Sequence, residues 1–154
     1  MFHFFYLDDD KASARVRFLV PTLEAYSSDC TFTVHRIHPS KDNPYPYAQC
    51  AVNNCRYCEA GSHSLTRTFI PLYNYETDRI EIWDRAVLGL TLASLYNRYS
   101  SIPSKMFKIT RHGKKFDKST SYEVTFVKDV GISDNITEGI RNYIENNVIA
   151  REVN

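Results

Sequence analysis

The sequence predicts a mainly β domain with some α-helix, built as a small barrel with one helix between its strands and a second helix near its C-terminus. Several short segments alternate apolar and polar residues, and clusters of turn residues separate them. Helical spacing of apolar residues is found in two places only. The length of 154 residues suits a single domain over residues 1–154, and 43% apolar residues are enough for a core without disulfides.

Alternation and turn residues locate the strands. Strands are predicted over residues 13–20, 30–38, 65–73, 78–83, 105–113 and 120–127. On the strand 105–113, Phe107 and Ile109 face the core, and Lys108 faces the other way. Three prolines and an asparagine in "PSKDNPYP" (39–46) predict a turn between the second strand and the cysteine-rich segment that follows it.

Two segments have helical periodicity. Leu88, Leu92, Leu95 and Tyr99 share one face of a helix that must end before Pro103. A second helix is predicted over about 133–148, with Ile136, Ile140, Ile144 and Val148 facing inward and Asn135 with Glu138 as a capping box. This order of strands and helices is typical of an OB-like barrel, and an α+β sandwich fits it nearly as well.

Composition and charge limit the classes of function. A net charge of +1 gives no global basic field, although a local basic patch is still compatible with 19 Lys and Arg. No run of about 18 apolar residues predicts a membrane span. The start "MFHFFYLDDDK" lacks the basic region and cleavage site of a signal peptide. We therefore expect a cytoplasmic protein with reduced thiols, which favours a metal site over disulfides.

The segment "CAVNNCRYCEAGSH" (50–63) is the strongest chemical signal in the chain. Cys55 and Cys58 form a C-x-x-C pair that can bind one tetrahedral Zn²⁺, and Cys50 can fold back as a third ligand. The fourth ligand must come from His35, His38, His63 or Cys30. Local spacing favours His63, whereas a hairpin returning through "PYPYAQC" would favour His35 or His38.

A structural zinc ion is the interpretation that the pattern favours, within a hairpin or knuckle insertion at about 35–63. The alternatives are inert buried thiols and a redox C-x-x-C pair, but no βαβ pattern of the thioredoxin type surrounds the motif. A catalytic zinc is disfavoured because Glu59 is the only local carboxylate and the H-x-E motif of zinc deaminases is absent.

The motifs in their order resemble those of the single-stranded DNA-binding proteins of tailed phages. The resemblance runs through "RVRFLV", "FTVH", "YAQC", the C-x-x-C pair and "FKITRHGKKFDKSTSYEVTF", over roughly residues 15–127. It implies an OB-fold with a zinc subdomain whose ligands would be His35, Cys50, Cys55 and Cys58. The chain departs from that family in a short Cys50–Cys55 spacing and in its near-neutral C-terminal residues, so the resemblance does not extend to recruitment of replication proteins through an acidic tail.

Binding of single-stranded DNA without sequence preference requires cations along the backbone and flat rings for the bases. Both occur interleaved in this sequence. The predicted DNA contacts are Arg17, Arg36, Tyr45, Tyr47, Arg56, Tyr57, Arg67, Tyr73, Lys108, Arg111, Lys114 and Lys115. Tyr122 and Trp83 are interpreted as packing residues. Any one of the exposed cations could equally be a solvated surface residue.

No catalytic motif is found. The sequence contains no Gly-rich phosphate loop, no G-x-S-x-G and no H-E-x-x-H, so we expect a protein that is not an enzyme and has no small-molecule substrate. The expected partners are single-stranded DNA and, with less support, replication proteins, in phage DNA replication or recombination. The main alternative is a zinc-stabilised protein-interaction module that docks on a replication or transcription enzyme.

Overall fold

A computed structural model describes residues 3–41, 43–131 and 136–150. The strands are β1 (His3–Phe4), β2 (Ser13–Phe18), β3 (Thr31–Arg36), β4 (Tyr47–Gln49), β5 (Leu65–Asn74), β6 (Arg79–Arg85), β7 (Lys105–His112), β8 (Ser121–Asp129) and β9 (Ile149–Ala150). The helices are α1 (Leu23–Asp29), α2 (Arg56–Glu59), α3 (Leu90–Arg98) and α4 (Ile140–Asn147), with a 3-10 turn at Ile102–Ser104. The six strands predicted from alternation are all present, within one to two residues at most ends.

All nine strands belong to one mixed sheet. The order is β8-β7-β2-β5-β3-β4-β9, and β6 pairs with both β5 and β1. The β1–β6 and β4–β9 pairs are parallel and the other pairs are antiparallel. Within the described ranges, β8 pairs with β7 alone, so the sheet is not closed. The β-rich content agrees with the sequence prediction, whereas a closed barrel is not what the described strands form.

The long strand β5 joins the two halves of the sheet. Its residues 65–68 pair with β3, and its residues 72–74 pair with β2. Pro71 lies between these two segments. A residue without a backbone N–H is tolerated there because the residues that pair with β3 and with β2 lie on either side of it. Because β5 changes partner at this point, the end of β3 that carries His35 is directed away from β2 and β7.

The core lies between the inner faces of these strands and α3. Val16, Phe18, Phe69 and Phe107 are fully buried there, and aromatic rings meet edge to face or tilted across it. Leu92 and Leu95 bury the inner face of α3. The prediction of one helix between the strand groups, packed through its leucines, is confirmed.

The C-terminal helix differs from its prediction at the start. It begins at Ile140, after Gly139 at φ +79°, a conformation that glycine adopts without strain. The predicted capping residue Asn135 and the predicted start at 133 lie outside the described residues. Ile144 and Val148 are buried as expected, and β9 then adds to β4 in parallel. The short elements α1, β4 and β9 carry too little periodicity to have been predicted.

Candidate metal centre and basic surfaces

Strand pairing brings the first two cluster residues together. His35 lies on β3 opposite Ala48 of β4 and is completely buried. Just beyond β4, the backbone N–H of Cys50 donates to the carbonyl oxygen of Thr33 at 3.0 Å. The β3–β4 hairpin therefore places the Cys50 thiol beside the imidazole, although fourteen residues separate the two along the chain.

A tight turn and a single helical turn supply the other two residues. Val52 and Asn54 adopt left-handed φ angles of 64° and 55°, which reverse the chain after Cys50. Cys55 is the N-cap residue of α2, and Cys58 lies within that helix. The C-x-x-C spacing puts both thiols on the side of α2 that faces β3.

The four side chains form a compact cluster that could hold a metal ion. Their ligand atoms all lie within 4.8 Å of one another. The Nε2 atom of His35 is 3.5 Å from the Cys55 sulfur and 3.4 Å from the Cys58 sulfur. The Cys50 and Cys58 sulfurs are 3.7 Å apart. Of the four, only Cys58 is exposed.

The other ring nitrogen of His35 is held by the segment after α2. Nδ1 lies 3.1 Å from the Ser62 hydroxyl and 3.2 Å from the His63 carbonyl oxygen. A hydrogen bond from Nδ1–H to that carbonyl leaves Nε2 as the lone-pair nitrogen that faces the sulfurs. His63 thus contributes its backbone, and its exposed imidazole is not in the cluster, nor is that of His38. Sequence reasoning missed this role of Ser62 and His63, which no spacing rule encodes.

The thiols differ in acidity. Backbone hydrogen bonds from Ala51 and Cys58 lower the pKa of Cys55 to about 6. The hydrogen bond between the Cys58 and Cys50 thiols, together with desolvation, raises the pKa of Cys58 to about 11. Without a metal, the Cys55 thiol therefore ionises more readily than the Cys58 thiol. Cys30 is separate: it is buried at the end of α1, and desolvation raises its pKa to about 12.

Three residues predicted to contact DNA are buried, which corrects those predictions. Arg111 donates to the carbonyl oxygens of Leu7, Gly113 and Lys114 at 2.8, 2.9 and 3.0 Å, so it organises the β7–β8 loop from inside. Arg17 is 1% exposed. A strand pattern predicts which face a side chain takes, but not that another element covers that face.

The third buried residue among the predicted DNA contacts is Tyr47. It is 2% exposed, and its hydroxyl donates a hydrogen bond to Asp84 at 2.5 Å. Burial and this carboxylate raise the pKa of Tyr47 to about 12. Arg67 is half-buried and donates to the other Asp84 oxygen at 2.8 Å. Tyr47 and Arg67 thus share one internal carboxylate partner.

The remaining predicted contacts are accessible to different degrees. Half-buried Tyr73 donates to Asp78, and half-buried Tyr45 donates to the Asn146 carbonyl oxygen. The exposed members are the cations Arg36, Arg56, Lys108, Lys114 and Lys115. Tyr57 is half-buried beside the cluster of His35 and the three cysteines. These residues do not form one continuous patch: Lys108 lies on the outer face of β7 beside Arg15, and Lys114 and Lys115 lie in the β7–β8 loop.

Next to that lysine pair, sequence reasoning overlooked Phe116. This ring is 90% exposed, with the Lys115 ammonium 5.5 Å from its centroid. An aromatic side chain directly after two lysines in a polar loop was the available signal.

No protein-family model matches the chain, and no curated protein or solved structure shows significant similarity to it. Among the described residues, no helix has both the length and the apolar character needed to cross a bilayer.

Proposed function

We propose that the cluster of His35, Cys50, Cys55 and Cys58 holds a structural Zn²⁺, and that the protein binds single-stranded DNA without sequence preference, in the manner of a phage replication or recombination protein. The observation that carries the proposal is a stack of aromatic rings and a guanidinium group next to the cluster. The Tyr57 ring stacks on His35 with centroids 5.5 Å apart, and the Arg56 guanidinium lies 4.8 Å from the Tyr57 centroid.

The donor set and its spacing support zinc. Around a tetrahedral Zn²⁺ with Zn–S of about 2.3 Å and Zn–N of about 2.0 Å, two sulfurs lie about 3.8 Å apart and a sulfur and a nitrogen about 3.5 Å apart. The cluster has 3.7 Å between the Cys50 and Cys58 sulfurs, and 3.5 and 3.4 Å from His35 Nε2 to the sulfurs of Cys55 and Cys58. Four protein ligands leave no open coordination position, which is typical of a structural site.

The proposed metal would hold the stack of Tyr57 and Arg56 in a fixed position on the surface. Thiolate coordination fixes α2, so Tyr57 offers a ring and Arg56 a cation at a defined place on the surface. Exposed Arg36 lies on the same hairpin, with its guanidinium 5.7 Å from the Tyr47 centroid. Rings that stack on bases and cations that track phosphates are the two requirements for sequence-tolerant binding of a single strand.

The topology supports an OB-like reading of the sheet. In chain order, α3 follows the longer strands β2, β3, β5 and β6 and precedes β7 and β8. The long strand β5 pairs with β3 near its start and with β2 near its end. The β7–β8 loop contains Lys114, Lys115 and the exposed Phe116, and loops between strands bind nucleic acid in OB-like barrels.

A titration of fluorescent oligo(dT) tests the function. Affinity should fall steeply with salt, with a slope in log Kd of about 0.7 per phosphate contact. Lys114→Glu with Lys115→Glu should weaken binding, and the matched double change to arginine should preserve it. Binding that is absent, or insensitive to salt, would refute the DNA-binding proposal. Elemental analysis of the purified protein should give one zinc per chain, and a metal-free folded protein would refute the zinc site.

The alternative of a protein-interaction module has one observation in its favour. Val87 and Leu90, just before and at the start of α3, are 69% and 90% exposed. Apolar side chains exposed this far can serve as docking anchors for another protein. This alternative predicts a pulled-down protein partner that is lost on Leu90→Ser, together with no affinity for oligo(dT).

A further inference from the structure

We propose that the groove between α3 and the inner face of β8 is a path for unpaired nucleotides, distinct from the metal hairpin. The proposal rests on the proposed function, because it names where a single strand would lie on this chain. Two adjoining cavities of about 240 and 570 Å³ form the groove. Thr91 of α3 and Val124 of β8 line both cavities, which makes them one continuous depression.

The groove lies at the edge of the sheet where β8, among the strands of residues 3–41, 43–131 and 136–150, pairs with β7 alone. Tyr122, Val124 and Phe126 pair with Arg111, Ile109 and Phe107, whose side chains are buried on the inner face. They therefore point inward too, yet Phe126 is 41% exposed. A closing strand would cover this face in a complete barrel. Here α3 covers it only in part, and an aromatic row is left accessible from one side.

Each ring along the groove has a cation over it. The Arg85 guanidinium lies 5.2 Å from the Trp83 centroid and 4.9 Å from that of Tyr122. At the other end, the Lys105 ammonium lies 5.7 Å from the Phe126 centroid. Lys105 also pairs with Asp129 at 2.6 Å, so its charge is partly compensated.

The same end carries a second ring and a further cation. The Tyr99 ring stacks on Phe126 with centroids 5.4 Å apart and an interplanar angle of 23°. The Arg98 guanidinium lies 5.5 Å from the Tyr99 centroid. The result is a flat aromatic face bordered by positive charge, at the edge of the larger cavity.

The charges of the residues that line the groove indicate the class of ligand. Among the described residues, neither cavity is lined by an aspartate or a glutamate, whereas Arg85 and Arg98 line one each. Guanidinium groups bind phosphate oxygens in a planar, bidentate fashion and also stack on rings. An uncharged apolar peptide would leave both guanidiniums unmatched, whereas a nucleotide strand offers a phosphate for each guanidinium and a base for the exposed Phe126 ring.

Length and position agree with this ligand. Tyr122 and Phe126 are four residues apart on β8, which corresponds to about 13 Å of strand. Two bases that stack on these two rings would therefore not be neighbours in the bound strand. The β7–β8 loop runs directly into Thr120 and Ser121, which line the smaller cavity, so the loop with Lys114 and Lys115 lies at one end of the groove.

The test compares the two faces of the sheet in oligo(dT) titrations at several salt concentrations. We expect Arg85→Gln with Arg98→Gln to weaken binding about tenfold or more, and to reduce the salt slope by about 1.4, since each lost phosphate contact removes about 0.7. Arg15→Gln, at an exposed arginine on the outer face of β2 and away from the groove, is the control and should leave both quantities unchanged. If the arginine pair binds like the wild type, the groove proposal is overturned.

A second pair of variants separates stacking from folding. Phe126→Leu keeps an apolar side chain but removes the ring, and should weaken binding about fivefold or more, whereas Phe126→Tyr should bind like the wild type. Equal zinc content and thermal midpoints show that the variants are folded. Equal affinity of Phe126→Leu and Phe126→Tyr would overturn the stacking role. A wild-type protein without affinity for oligo(dT) would instead refute the proposed function, and the groove with it.

Discussion

Replacing His35 with alanine tests how the metal centre is assembled. His35 is fully buried, and its Nε2 lies 3.5 and 3.4 Å from the sulfurs of Cys55 and Cys58. His63, the ligand that local spacing favours, contributes only its carbonyl oxygen to Nδ1 at 3.2 Å. We therefore expect His35→Ala to abolish stoichiometric zinc, whereas His63→Ala, which keeps that carbonyl, retains one zinc per chain.

The size of the effect follows from linkage. A metal that binds only the folded state stabilises it by RT ln(1 + [L]/Kd), which is about 4 kcal/mol when free zinc is 1,000 times Kd. For a domain of this length, 1 kcal/mol corresponds to about 2–4 °C in Tm. Loss of the ion should thus lower Tm by about 8–16 °C, and loss of a buried ring adds to that.

Calorimetry with and without a chelator measures this prediction. Chelation should lower the Tm of the wild type by about as much as the His35→Ala substitution does. The Tm of His35→Ala should not change when the chelator is added. Cys30→Ala is a control for packing alone: its thiol is buried outside the cluster, so it should cost stability yet keep the zinc. Zinc retained by His35→Ala, or lost from His63→Ala, would refute the assigned ligand set.

Further predictions concern acidity, an internal cation and the C-terminal strand. In the zinc-free protein, iodoacetamide should modify Cys55 with a midpoint near its pKa of about 6 and Cys58 only near 11, as peptide mapping across pH would show; a common midpoint would contradict the thiol assignment. The lowered pKa of Cys55 contributes stability above its ordinary value of 9 that is lost as pH falls through 6, so the apo protein should show that loss in urea titrations between these limits. Arg111→Gln should lower the free energy of unfolding by about 2–4 kcal/mol, because it breaks hydrogen bonds from a buried charge to three carbonyls, and unchanged urea midpoints would refute this role. Removal of residues 140–154 takes away β9, one of the two partners of β4, and should raise the rate of zinc release to a chromogenic chelator; an unchanged rate would show that β9 does not support the hairpin.

The sequence by itself determined the six longer strands, the helix α3 and three of the cluster residues. Alternation and leucine spacing are local properties, and the side chains of Val16, Phe69 and Leu92 follow them into the core. Likewise, the C-x-x-C pair needs only a single turn of helix to present Cys55 and Cys58 on one side. Such patterns predict structure because each is completed within a few residues of chain.

Only the tertiary structure decided between His35 and His63, since the choice depends on the β3–β4 register and on a carbonyl returning after α2. It also decided which cations face solvent. Arg17 and Arg111 belong to strands that read as amphipathic, yet other parts of the chain cover them. Phe126 shows the reverse, because its strand pattern points inward while, in the described part of the chain, no second strand pairs with β8 beside it. Long-range pairing sets what covers a face, and no local pattern contains that information.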